Sequence, residues 1–259
     1  EMIPVGPPVA ELSLIRRGKR PIAIDVDDPY FLRAMAHNSR SPLSRLVKDS
    51  ARAERIVREV DLVVAINDAI AEWARQFARR VDVLPNIVPL ERYPLRSGER
   101  APGPIRLGYS GSPSTTIQIA AIKDALEDLD REEAVELHVM GGKTPCSLPR
   151  GKTVELTWSA ETEAAKLATF DIGLAPAPDE ELYRYKSPVK VLLYMAMGLP
   201  VITSPYGQAG KVVQHGVTGF HARTRAEWRE ALVALVRDPD LRARMGAAGR
   251  AVVEGDFSR

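Results

Sequence analysis

Residues 186–220 read KSPVKVLLYMAMGLPVITSPYGQAGKVVQHGVTGF. Ser187 suits a helix N-cap, and Pro188 suits the first helical position, where a missing N–H costs nothing. A helix start of this kind exposes free N–H groups and a partial positive charge, which together favour an anion. Lys186 and Lys190 flank it and add two point charges within a turn. Val189, Leu192, Leu193 and Met195–Met197 are apolar and suit burial, Gly198 stops the helix, and Pro200–Thr203 (PVIT) reads as a buried strand. The TSPYG turn then lies at that strand's carboxyl end. A group the size of a diphosphate fits between helix start and turn. A capped core helix carrying two solvated lysines accounts for the same spacing equally well.

Working outward, short β-branched runs alternate with longer helical patterns, the mark of parallel βαβ units. Upstream, strands are expected at Pro21–Val26, Leu62–Ile66 and Val81–Leu84, with helices at Val9–Arg17, Ser50–Glu59 and from Asn67 or Asp68 to about Ala78. The stretch RSGERAPGP is rich in Gly, Pro and charge and is the best linker. Beyond it the alternation restarts. Strands are expected at Ile105–Tyr109, Val135–Met140, Val154–Thr157, Asp171–Ala175 and Pro200–Thr203. The helices between and after them are Ile117–Leu129, Glu161–Ala168, Pro188–Met197, Gly207–Gln214, Glu227–Val236 and Leu241–Val253. This predicts an α/β protein whose second half, 104–259, is a doubly wound sheet with its ligand at the strands' carboxyl ends, preceded by a first half, 1–103.

The 259 residues suffice for two modest cores, and a net charge of +2 creates no field that selects a nucleic acid. A single cysteine, Cys146, rules out an intrachain disulfide and fits a cytoplasmic, reducing compartment. No apolar run approaches the ~20 residues of a membrane span. The N-terminus, EMIPVGPPVAELSL, has neither a starting Met nor a signal-peptide pattern. The chain is expected to be part of a longer protein.

The 186–220 segment resembles the C-terminal domain of glycosyltransferase family 4, of the GT-B architecture. Met195-Ala196, Gly198, Pro200-Val201-Ile202, Ser204, Gly207, Val212, Gly216 and Gly219 fall in step with the family's pattern. The likeness extends back through Asp171–Pro176 and Ile105–Ser112 to Leu84–Val88 with Glu91–Tyr93. It implies two Rossmann-like domains facing a cleft, an acceptor-side N-terminal domain (here incomplete) and a donor-binding C-terminal domain. The implied function is transfer of a sugar, with retention, from a nucleotide-diphosphate donor, UDP- or GDP-linked, without a metal or further cofactor. Gly111, Ser112, Lys186, Ser187 and Lys190 would then hold the diphosphate. Tyr185, Tyr206 and Gly207 would border the sugar, and Trp158 and Ser159 the nucleobase.

Several positions depart from the family pattern. Tyr185 and Leu193 stand where the family places two glutamates that contact donor sugar and ribose. The family's Gly-Arg turn with its following Lys becomes Gly111–Thr116, GSPSTT, so the remaining lysines carry more of the charge. No N-terminal Gly-rich loop or reacting-site His is visible, and of the four histidines only His37 is a cleft candidate; His138 reads as core. No catalytic base is assigned. A non-catalytic relative that binds a nucleotide sugar or a partner subunit, and a nucleotide-sugar 2-epimerase, are the rival readings. Asp25–Asp28 resembles a metal-binding Asp-x-Asp but reads first as an acidic turn with a structural or acceptor-side role, and the basic run 16–20 reads as a solvated loop before a strand ahead of a peripheral contact with anionic lipid.

Overall fold

The computed structural model describes residues 21–32, 50–95 and 102–258. The helix expected at 9–17, the basic run at 16–20, His37 and most of the linker lie outside these residues. Chain contacts divide the protein into two units, the first running to Asn86 and including Glu180–Ser187, the second comprising Ile87–Asp179 and Pro188–Arg259.

The first unit is built from β1 (Ala23–Val26), α1 (Ser50–Glu59), β2 (Leu62–Ala65), α2 (Asp68–Ala74) and β3 (Val81–Val83). The three strands form a parallel sheet in the order β1-β2-β3, with Ala23 opposite Leu62 and Val63 opposite Val81. Val26, Val57, Val63, Ala65, Ile70 and Ala74 are buried together in its core. Asn67 caps α2, its side-chain oxygen accepting from Ile70 N at 3.0 Å. A short helix at Glu181–Tyr185, which the sequence pattern did not announce, returns to this unit. There Tyr185 packs edge-on against Phe31, with ring centroids 5.1 Å apart.

The second unit contains β4 (Ile105–Ser110), α3 (Lys123–Glu132), β5 (Val135–Met140), β6 (Thr153–Leu156), α4 (Glu163–Leu167) and β7 (Ile172–Ala175). It continues with α5 (Val189–Ala196), β8 (Val201–Thr203), α6 (Gly207–Val212), β9 (Gly219–His221), α7 (Arg225–Arg237) and α8 (Pro239–Asp256). Its sheet runs β6-β5-β4-β7-β8-β9, parallel throughout. Numbered from β4, that is the 3-2-1-4-5-6 order of a dinucleotide-binding sheet. Central β7 (IGLA) and β8 (VIT) are buried at every residue, as strands covered on both faces must be. Strand β9 was missed in the sequence, being three residues long. The helix expected from Ile117 starts instead as a 3₁₀ stretch, Thr116–Ile122, before α3. His138 lies in the buried part of β5, as expected, with Nε2 3.0 Å from Glu136 Oε2.

The segment before β4, which the sequence reading assigned to the first half, packs with the second unit. Val88 and Tyr93 are buried in the cluster that holds α5, Val88 N donates to Phe257 O at 2.6 Å, and Arg250 in α8 bonds the carbonyls of Tyr93 and Ala196 at 2.8 and 2.5 Å. An isolated parallel bridge between Val88 and Ser258, and the Arg250 bond to Tyr93, thus tie the 88–93 stretch to the last helix and the residues just after it.

Candidate functional site

From β4 the chain builds outward to β5 and β6, then crosses over to β7, β8 and β9 on the other side. The reversal leaves a crevice between the carboxyl ends of β4 and β7, where open α/β sheets bind their ligands. Gly111 and Ser112 leave β4 there. Thr115 Oγ1 donates to Ser112 O at 3.0 Å, and the Ser112 hydroxyl stands 3.0 Å from that of Ser114. The turn is therefore closed on itself by hydroxyls, and contains no cation.

The cation comes from α5. Lys190 Nζ donates to Tyr109 Oη at 2.7 Å and lies 4.0 Å from the centre of the Tyr109 ring. Tyr109, wholly buried at the end of β4, donates in turn to Thr115 O at 2.7 Å. Burial pulls the Lys190 ammonium down to about 7. A lysine held beside the turn at that value regains its full charge once an anion compensates the desolvation.

Lys186 and Ser187 have other employment. Lys186 Nζ pairs with Asp28 Oδ1 at 2.6 Å inside the first unit, and Ser187 donates to Asn86 Oδ1. The helix α5 is preceded by Pro188, with no side-chain cap. The expected Ser187 cap is thus corrected. The chain passes from one unit to the other between Ser187 and Pro188, so Ser187 serves the turn it leaves and not the helix that follows. The Lys186 charge is taken up by Asp28, which also removes Asp28 from a free acidic pair.

Leu193, at one missing glutamate, is buried in the α5 core, and Tyr185, at the other, packs in the first unit. Tyr206 precedes α6, and Gly207 opens that helix with φ +58°, a left-handed conformation that favours glycine. Both sit beyond the carboxyl end of β8.

Beyond β5, Gly141 adopts φ +100°, and a Cβ there would lie 2.1 Å from Gly111 O. Gly142 similarly abuts Pro113 Cα, 2.8 Å from its would-be Cβ. The floor between β4 and β6 is therefore free of side chains at these two positions. Past β6, Trp158 is 51% exposed, so the packed-core alternative for it fails. Its indole N–H donates to Glu163 Oε1 at 2.7 Å, and the Ser159 hydroxyl lies 2.8 Å from that of Thr162.

Sequence reasoning missed Tyr109 and Glu163. Tyr109 sits in an apolar strand pattern, and only the rule that a buried hydroxyl needs a partner marks it. Glu163 looks like a surface residue in the first turn of a helix.

The second unit's residues 106–238, just over half of the chain, match the family described as glycosyl transferases group 1. A D-inositol 3-phosphate glycosyltransferase of Nocardia farcinica is 31% identical over 240 residues, covering 79% of this chain and 50% of that protein. The chain thus spans about half the length of this curated relative. Among solved structures, Anabaena HepE in complex with UDP and glucose superposes with a TM-score of 0.71 at 16% identity, over 97% of this chain and 71% of that one. Sucrose-phosphate synthase of Thermosynechococcus elongatus gives 0.66 at 16% identity, over 95% and 66%. The fold is the α/β, parallel-sheet fold of these GT-B proteins, and by its matched sequence the chain belongs to the glycosyl transferases group 1 family.

Proposed function

We propose that this chain supplies the donor-binding part of a glycosyltransferase that moves a sugar from a nucleoside-diphosphate donor, UDP- or GDP-linked, to an acceptor, with retention at the anomeric carbon. The observation that carries the reading is Lys190, held by Tyr109 beside the Gly111–Thr116 turn at the switch point of a 3-2-1-4-5-6 sheet. In this reading the turn's hydroxyls and N–H groups and the Lys190 ammonium hold the diphosphate and stabilise it as leaving group. Tyr206 and Gly207 border the sugar, and Trp158 and Ser159 the base. Lys186 and Ser187 drop out of the diphosphate set, because Asp28 and Asn86 engage them. The relative named for D-inositol 3-phosphate and the UDP-bound neighbour support a nucleotide sugar; the proposal names no particular acceptor.

A second reading, a relative that binds a nucleotide sugar without turnover, is favoured by one observation: buried Leu193 offers no acceptor to a ribose or sugar hydroxyl. Release of free nucleoside diphosphate from UDP- and GDP-sugars separates the two. We expect slow release from the wild-type protein, suppressed at least tenfold in Lys190→Ala. Saturable binding with no release would support the binding-only reading instead.

A further inference from the structure

The turn that follows β6 is tied down far more heavily than an exposed loop requires. Lys166 Nζ donates to Thr157 O. The Ser159 and Thr162 hydroxyls pair at 2.8 Å, and Arg92 donates to Ala160 O at 3.1 Å. In the midst of these ties Trp158 keeps half its surface in solvent.

Its edge, in contrast, is fixed. Glu163 Oε1 accepts from the indole N–H at 2.7 Å while Oε2 accepts from Tyr93 Oη at 2.6 Å. Tyr93 is buried, and Arg250 of α8 holds its carbonyl at 2.8 Å, so the partner of the carboxylate is itself fixed. Burial first, and the Glu163 contact after it, raise the Tyr93 hydroxyl to about 12, which keeps it protonated as a donor at any working pH. A large apolar ring clamped at its N–H and half exposed has already lost rotamer freedom that a ligand would otherwise have to remove. This is the build of a stacking platform for a flat, π-bearing ligand.

Its place names the ligand. Strand β6 lies two strands from β4, a separation of about 10 Å at ~4.8 Å per strand. Between them lie Gly141 and Gly142, which leave the floor open. We propose that Glu163, backed by Tyr93, is a positioning residue that locks the Trp158 indole as the stacking surface for the donor's nucleobase. The inference rests on the donor-binding reading above, and assigns the base to the aromatic end and the diphosphate to the Lys190 end.

Calorimetry on the full chain with uridine, guanosine, UMP, UDP and GDP tests it. Trp158→Ala and Glu163→Ala should weaken nucleosides and nucleotides by the same factor, about tenfold or more for the stacking face. Trp158→Phe keeps an aromatic ring but lacks the N–H that Glu163 holds, so it should lose affinity much as Glu163→Ala does, and less than Trp158→Ala. Glu163→Gln should rescue, because its amide oxygen still accepts from the indole and its amide nitrogen can donate to Tyr93. Lys190→Ala should weaken only the phosphate-bearing ligands. Nucleotide-induced quenching of tryptophan emission should vanish in Trp158→Phe. Unchanged nucleotide affinity in Trp158→Ala overturns this inference and leaves the donor-binding reading intact. A loss in Glu163→Ala that Glu163→Gln fails to rescue removes Glu163's role. Absence of nucleotide binding by the folded wild-type protein overturns both.

Discussion

Lys190 is where sequence, structure and chemistry converge. It was one of two lysines in KSPVK; its partner in that motif, Lys186, is spent on Asp28, leaving Lys190 as the motif's cation for the Gly111–Thr116 turn. Its titration near 7 gives a signed expectation. Above pH 7 the empty protein holds Lys190 largely neutral, whereas a bound diphosphate requires the ammonium, so binding takes up a proton. Below pH 7 the ammonium is present beforehand, and uptake disappears. Calorimetric titration of UDP at about pH 8.5, in two buffers of different ionisation enthalpy, should therefore show uptake of up to about one proton. At about pH 6 the terminal phosphate of UDP titrates as well, so the comparison is with Lys190→Arg, which stays charged: the excess uptake of the wild type over that variant should be up to about one proton at about pH 8.5 and should vanish at about pH 6. Residue-scale contacts were only half legible in the sequence. Spacing marked Lys190 and the turn, but Lys186 and Asp28 stand far apart in the chain, and no local pattern announces their pairing. Tyr109 and Glu163 escaped for the same reason: Lys190 lies 81 residues from the one and Tyr93 lies 70 from the other.

At the scale of elements, the site depends on how closely β5 approaches the turn after β4. Gly141 has both a left-handed φ and no room for a Cβ beside Gly111 O. Gly141→Ala should cost on the order of 1–3 kcal/mol from backbone strain, with more from the clash, and should displace Gly111 and weaken nucleotide binding. A remote control is Thr224, whose hydroxyl accepts from Glu227 N in the capping box of α7. Thr224→Ala should cost about 1 kcal/mol and leave nucleotide affinity unchanged. Denaturant unfolding paired with calorimetry on both variants checks the contrast; equal loss of binding in the two would deny Gly141 its place in the site. Elements were the most legible level. Strand β5 and helix α1 lie where the periodicity put them, and most others shift by one to three residues at their ends. What failed was short or divided. β9 has three residues, the 181–185 helix has five, and the α5 start is cut by the passage between units, so a local capping rule met a boundary that the sequence does not display.

For the whole molecule, the parallel order of both sheets was foreseeable from the βαβ alternation, since parallel neighbours need crossovers and the chain supplies them. The allegiance of residues 87–95 was not. The charged, Gly- and Pro-rich stretch after them looks like a boundary, but burial of Val88 and Tyr93 joins them to the second unit. Among the described residues no helix is long and apolar enough to cross a membrane. With a net charge of only +2, any nucleotide affinity must come from local groups at the strand ends and not from the field of the molecule. The central claim is that the second unit holds a nucleoside diphosphate at the Lys190 turn. Isothermal titration of the full chain with UDP, GDP, ADP and dTDP, beside Lys190→Ala, tests it most directly. Saturable binding of UDP or GDP, weakened at least tenfold in the variant, is the expected result; equal binding by wild type and Lys190→Ala, or none by a cooperatively folded wild-type chain, would contradict it.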